Sequence, residues 1–229
     1  MRGAVTVISG IDTGTGKTVA TGLLARAVLD RGVSVITQKI VQTGCPGRIA
    51  EDILEHRRLM GCELTEEDLQ GVTSPCVFAY PASPHLAARL ENRPVDVMAI
   101  RRSTFRLQHR YTTVLLEGAG GLLVPLSSDL LLADYIRDAG YPLLLVSSSR
   151  LGSINHTLLA VEACMKRGIH LQGIVFNRFQ ETDRLIADDA IGTIRHFLKR
   201  YGLSAPVVTL DENGLEKHAP ELLGLLSGE

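Results

Sequence analysis

Short apolar runs alternate along this chain with longer stretches in which apolar residues recur every three or four positions. The runs 4–9, 33–39, 113–117, 143–147, 173–177 and 207–210 are mostly apolar and rich in β-branched residues or leucine, so they read as strands buried on both faces. The stretches 17–30, 49–60, 95–110, 130–139, 154–167 and 183–201 have helical periodicity, with Gly32, Gly61 and Gly168 as stop signals. Ser83-Pro84 predicts a further helix start, with serine as cap and proline in the first turn. The segment 64–82, which carries Pro75 and Pro81, predicts a connection holding one short strand or helical turn, and 212–226 predicts a closing helix. The strand 113–117 is expected to break at Gly118-Ala119-Gly120-Gly121. This alternation implies an α/β fold: one domain over residues 1–229, its sheet mostly parallel and covered by helices on both faces.

Composition narrows the function. The chain has 229 residues, 45% hydrophobic and 21% charged, enough apolar material for a full core. A net charge of −1 supplies no field to draw nucleic acid or anionic lipid. With no Trp and only 5 Tyr and 5 Phe, a base-stacking platform is not expected. Cys45, Cys62, Cys76 and Cys164 are scattered without a Cys-x-x-Cys pair and read as reduced thiols. No run approaches the ~18 apolar residues of a membrane span. A soluble, cytoplasmic protein is the expectation.

In a parallel sheet of this kind, ligands gather beyond the carboxyl ends of the strands. There the first strand runs into Gly10-Ile11-Asp12-Thr13-Gly14-Thr15-Gly16-Lys17-Thr18, which reads as the glycine-rich turn and helix start of a phosphate-binding loop. Its glycines let backbone N–H groups curl around an anion, and the helix adds its positive end. Lys17 is placed to reach the β- and γ-phosphates, and the Thr18 hydroxyl to ligate Mg²⁺. The usual spacing has glycine where Ile11 stands.

The second strand delivers Lys39, followed by Thr43 and Gly44. A lysine there either snorkels to solvent or neutralises charge on a transferring phosphoryl group. Glu117 closes the 113–117 strand, where a carboxylate near Mg²⁺ is expected. Asp52, early in the 49–60 helix, serves either the metal or the helix N-terminus. Asn177 closes the 173–177 strand with a paired donor and acceptor suited to an adenine edge, or to a turn. His85 and His156 sit near helix starts and read as structural, and nothing beside Cys45 activates its thiol.

Taken in order, the loop 10–18, Lys39-Ile40-Val41-Gln42-Thr43-Gly44, Ser83-Pro84-His85, Glu117-Gly118-Ala119-Gly120-Gly121, Leu151-Gly152-Ser153-Ile154-Asn155-His156 and Asn177 resemble the dethiobiotin synthetases over roughly residues 4–210. That family's loop carries the same extra residue before its Gly-Lys pair, which accommodates Ile11. The resemblance implies a Rossmann-like P-loop NTPase domain, a cytoplasmic homodimer, ATP as co-substrate and Mg²⁺ as cofactor. It further implies carboxylation of 7,8-diaminopelargonate with CO₂ through a carbamate and a carbamic–phosphoric anhydride, and closure of a cyclic urea.

Carried over by position, ATP is expected on Asp12, Thr13, Gly14, Thr15, Gly16, Lys17, Thr18, Val19, Glu117, Gly118 and Asn177, with Asn177 on the adenine. The substrate is expected on Thr13, Lys39, Thr43, Gly120 and Gly121, and its carboxylate on Gly152, Ser153, Ile154 and Asn155 across the dimer interface. Mg²⁺ is expected on Thr18, Asp52 and Glu117, and Lys17 and Lys39 are the expected catalytic residues. Two departures stand out. Ile40 follows Lys39 where the family commonly has proline, and Ala187-Asp188-Asp189-Ala190 lies where some members place a carboxylate-binding tyrosine. Rival readings are a switch ATPase of the partition or septum-placement type, an amide-forming ATP ligase and a structural module. The loop lacks the early lysine of the first, the chain lacks length for a glutamine-handling domain, and Lys39 with Glu117 argues against the third.

Overall fold

The computed structural model describes residues 2–179, 181–212, 214–216 and 220–227. The strands are β1 (Ala4–Gly10), β2 (Val35–Lys39), β3 (Thr113–Gly121), β4 (Leu143–Ser148), β5 (Leu171–Asn177), β6 (Val207–Asp211) and β7 (Gly214–Leu215). The helices are α1 (Lys17–Leu29), α2 (Glu51–Met60), α3 (Glu66–Leu69), α4 (Pro84–Leu90), α5 (Val97–Gln108), α6 (Leu132–Ala139), α7 (Ser153–Arg167), α8 (Arg184–Arg200) and α9 (Pro220–Ser227). They build one sheet in the order β2-β3-β1-β4-β5-β6-β7, parallel throughout except for the antiparallel β6–β7 edge.

The continuous apolar runs are explained by the layers. In β3, Val114 and Leu116 point into one core and Leu115 into the other, and β4 alternates likewise, with Leu143 and Leu145 opposed to Leu144 and Val146. A strand covered on both faces has no position where a polar side chain is cheap, so the period-two pattern vanishes from its sequence. One core is closed by apolar residues of α4 to α8, the other by Ala20, Leu24 and Val28 of α1 with Leu222 and Leu226 of α9.

Three expectations are corrected. Strand β3 does not break at its glycines but runs to Gly121, because Gly10 of β1 pairs with Gly121 after a register shift beyond Ile8. The predicted helix over 212–226 is replaced by β7 and then α9, while positions 213 and 217–219 lie outside the described residues. Helix α4 starts after Ser83 with Pro84 in its first turn, yet the serine side chain makes no capping bond. In the connection after α2, a helical turn does form: Thr65 accepts from Asp68 N–H, and Asp68 accepts from Thr65 N–H, a reciprocal cap on α3. Among the described residues, no helix is long and apolar enough to cross a membrane.

Candidate active site

The carboxyl ends of β1, β2 and β3 lie side by side, so what their last residues carry must meet. Lys39 and Glu117 are paired in register on β2 and β3. The Lys39 ammonium donates to Glu117 Oε1 at 2.8 Å and to Gly118 O at 3.1 Å, and also forms an ion pair with Asp52. Lys39 is only 5% exposed, which rules out the snorkelling reading. Asp52 sits in the first turn of α2, but its side chain goes to Lys39 and makes no capping bond at the helix start.

The phosphate loop turns between β1 and α1. Gly16 takes φ 86°, a left-handed conformation costly for other residues, and a Cβ there would collide with the Asn177 amide. Gly10 is also crowded, since a Cβ there would come within 2.7 Å of the Asp12 carbonyl oxygen. Lys17 folds back to donate to Asp12 O at 2.9 Å, and Thr15 Oγ1 donates to the same carbonyl at 3.2 Å. The Thr18 hydroxyl donates to Glu117 Oε1 at 3.1 Å. Asp12, Thr13 and Gly14 form the exposed crest of the loop, and Val19 is half-buried in α1.

Thus Lys17, Thr18, Lys39, Asp52, Glu117 and Gly118 come together. Thr13 Oγ1 lies by Gly120, and Gly121 packs under Ile11, so the glycines of β3 form the floor beneath the loop. Thr43 lies half-buried beyond β2. At the start of α7, Gly152 is the cap and Ser153 is occupied, donating to Arg150 O at 2.6 Å. Ile154 is half-buried and Asn155 exposed there. An apolar groove of about 350 Å³ runs from Ile11, Asp12 and Thr13 along Leu123 and Val124 to His156 and Leu159. Asn177 is 4% exposed; its Nδ2 donates to Thr15 O at 2.9 Å and its Oδ1 accepts from Phe179 N–H. Among the described residues, that leaves one N–H and one lone pair of the amide unused. Beyond β5 and β6 a second cavity, of about 480 Å³, is lined by Arg178, Phe179, Arg184, Thr209 and Asp211.

The electrostatics are unequal. Burial pulls Lys17 down to about 8, with the neighbouring Lys39 charge as the next cause. Burial also opposes the charge on Lys39, but Glu117 and Asp52 outweigh it and hold its pKa above the ordinary value. Glu117 is likewise penalised by burial, and the Lys39 charge with the His56 hydrogen bond drives its pKa far below the carboxylate range. His56, absent from the sequence-level candidates, is fully buried with Nε2 at 2.6 Å from Glu117 Oε2. Its signal was its position one helical turn after Asp52, on the same face of α2. Asp188, in the helix where a tyrosine was expected, is paired with Arg178 at 2.8 Å.

Among the described residues, no three His, Cys, Asp or Glu side chains form a metal cluster on their own. Two carboxylates, from Asp52 and Glu117, converge on the Lys39 ammonium, and the Thr18 hydroxyl donates to the same Glu117 oxygen that Lys39 meets. Oxygen donors of this kind fit a hard divalent ion that completes its shell with substrate phosphate and water.

A phosphate loop between the first strand and first helix, with lysine and carboxylate at the carboxyl edge of a parallel sheet, defines a P-loop nucleotide-binding α/β protein. Residues 5–209 match the family described as AAA domain. The chain is 59% identical over 228 residues to the ATP-dependent dethiobiotin synthetase BioD of Chlorobaculum tepidum, covering 99% of this chain and 95% of that one. It is 54% identical over 184 residues to BioD 2 of Haemophilus influenzae, covering 80% and 96%. The chain belongs to the dethiobiotin synthetase family. A ParA family ATPase from Chlorobium tepidum superposes with a TM-score of 0.53 at 14% identity over 98% of this chain and 90% of that one. The signal recognition particle receptor FtsY of Elizabethkingia anophelis, in complex with GDP, gives 0.56 at 14% over 100% and 65%. At such identities these two share the fold alone.

Proposed function

We propose that this chain carboxylates 7,8-diaminopelargonate and closes the cyclic urea of dethiobiotin at the expense of ATP, acting as a cytoplasmic, single-domain protein over residues 1–229 in a homodimer. The observation that carries this reading is the cluster of Lys17, Lys39, Glu117 and Thr18 at one sheet edge, in a chain of this family.

One amine of the substrate attacks CO₂, forming a C–N bond and losing a proton to give a carbamate. A carbamate oxygen attacks the γ-phosphorus and ADP leaves, giving a carbamic–phosphoric anhydride. The second amine attacks the carbonyl carbon and gives up a proton, the ring closes and phosphate departs. No step requires a protein nucleophile; the work is alignment and charge neutralisation. Lys39, fixed between Glu117 and Asp52, faces the carbamate and the phosphoryl group in flight. Lys17 leaves Asp12 O for the β- and γ-phosphates, whose charge favours the ammonium form that burial disfavours. Thr18, Asp52 and Glu117 would hold Mg²⁺, which when bound neutralises charge on the ATP phosphates.

The cavity beyond β5 and β6 takes the base and ribose beside Asn177. The groove along Leu123 and Leu159 takes the aliphatic chain of the diamine, with Thr13, Thr43, Gly120 and Gly121 at its reacting end and the α7 start at its carboxylate. Exposed Leu123, Leu151 and Leu159 around this region support a partner subunit covering it. The test is ADP release in the presence of Mg²⁺. Release that requires both the diamine and bicarbonate is expected, whereas vigorous hydrolysis indifferent to the diamine would overturn the synthetase reading in favour of a switch ATPase.

A further inference from the structure

Glu117 is approached from behind by a chain of fully or nearly fully buried side chains that the reaction itself does not use. It begins at Asp68, which takes Arg57 Nε and Nη2 on its two oxygens, each at 2.8 Å, and the Thr73 hydroxyl at 2.6 Å. Arg57 Nη1 donates to Thr37 Oγ1 at 2.8 Å. Thr37 Oγ1 lies 3.0 Å from His56 Nδ1, and His56 Nε2 lies 2.6 Å from Glu117 Oε2.

The direction of these bonds follows from what each group can do. A guanidinium has no acceptor, so Arg57 can only give its hydrogen to Thr37. The Thr37 hydroxyl hydrogen then needs an acceptor, and His56 Nδ1 is within reach. With Nδ1 accepting, the ring carries its hydrogen on Nε2 and donates it to Glu117 Oε2. The opposite tautomer would aim a lone pair at a carboxylate oxygen 2.6 Å away and strand a buried hydroxyl hydrogen. Glu117 Oε2 is therefore occupied from inside the fold. Oε1 alone is left on the ligand side, where Lys39 and Thr18 meet it at 2.8 and 3.1 Å.

We infer that His56 is a positioning residue: through a hydrogen-bond chain running Asp68–Arg57–Thr37–His56, it fixes the Glu117 carboxylate so that one oxygen is reserved for the cation of the reaction. This rests on the reading of Glu117 as a Mg²⁺ ligand. Groups that orient a metal-bound ligand are worth roughly 10–100-fold in metal affinity.

The test uses the full-length protein, Mn²⁺ as the paramagnetic probe and a non-hydrolysable ATP analogue, with free Mn²⁺ read by electron paramagnetic resonance. His56→Leu, which removes the donor, is expected to weaken Mn²⁺ binding about tenfold or more. His56→Gln, which can still donate to Glu117, is expected to stay within about threefold of the parent. Equal binding by all three proteins overturns the inference, as does an equal loss in both variants. Absence of nucleotide-dependent Mn²⁺ binding in the unmodified protein overturns the reading of Glu117 and the inference with it. A second measurement does not depend on any leucine variant folding. Long-range ¹⁵N–¹H correlation spectra of the seven histidines, with His56 assigned by its disappearance in His56→Gln, should show the Nε2–H tautomer. An Nδ1–H tautomer overturns the assignment.

Discussion

Two buried charge clusters meet at α2, and they differ in how completely they are satisfied. Around Asp68 the guanidinium fork of Arg57 fits the carboxylate oxygen by oxygen, Arg57 spends a further hydrogen on Thr37, and Thr65 and Thr73 fill the remaining lone pairs of Asp68. Around Glu117 two lysines share two carboxylates, Asp52 is still partly open to solvent, and one of the lysines is held at a depressed pKa by burial and by the other. The same ingredients make a closed joint in one place and an incomplete one beside it. In the incomplete cluster Lys17 donates to the Asp12 carbonyl rather than to a carboxylate, and a polyphosphate would supply the negative charge that its buried ammonium lacks. The closed one has its hydrogen bonds taken up within the fold.

The comparison can be broken first at the closed cluster. Asp68→Ala leaves the Arg57 guanidinium buried without its counter-ion, and a loss of about 3–5 kcal/mol in unfolding free energy is expected from urea titration. Turnover per folded molecule should change far less than stability. At the incomplete cluster the ranking reverses. Lys39→Met should lower turnover about 10²–10³-fold, measured as diamine-dependent ADP release. Combining it with Glu117→Gln should restore stability, since the stranded buried carboxylate is then neutral, without restoring turnover.

The smallest effect is in the acid limb of stability. Burial favours the neutral form of Asp68, but its bonds to Arg57 and Thr73 outweigh burial and hold its pKa below the ordinary 3.8. A carboxylate with a depressed folded pKa contributes stability that is fully present above the unfolded value and lost as pH falls through the folded one. Asp68→Asn should therefore be less stable near neutrality, and its deficit should shrink as the pH drops below about 3.8. A deficit that stays constant with pH would mean that Asp68 does not draw its stability from its charge.

Much of the incomplete cluster is legible in the chain, because its members stand either at the end of an apolar run or at a helix start. Lys39 and Glu117 are visible as polar endings of apolar runs, and the loop 10–18 as a glycine-rich interruption before a helix. Whether Lys39 snorkels could not be read locally. The answer depends on the β2–β3 register that sets it beside Glu117, and register is a property of two distant stretches. The ambiguity at Asp52 had the same origin, since its partner lies across the α2–β2 junction. His56 has no strand end or motif to mark it, and its one local signal is its place four residues after Asp52 on the same helix. The extension of β3 through Gly120 and Gly121 was misread because glycine weakens a strand in general; here a neighbouring strand that itself carries Gly10 allows the backbones to pair closely. The edge strand β7 is too short to leave a periodic pattern.

The clasp between Asn177 and the phosphate loop gives the last lesson. Thr15 O is held by a side chain 162 residues away, and that side chain fits only because position 16 has no Cβ. The loop's shape is therefore written in two places, a nine-residue peptide near one end of the chain and the tip of a strand near the other. Grafted alone into another sheet, the peptide would keep its glycines and lose its clamp. For anyone designing a nucleotide site, the smallest transferable part is the pair, and the sheet is what keeps its two halves in step.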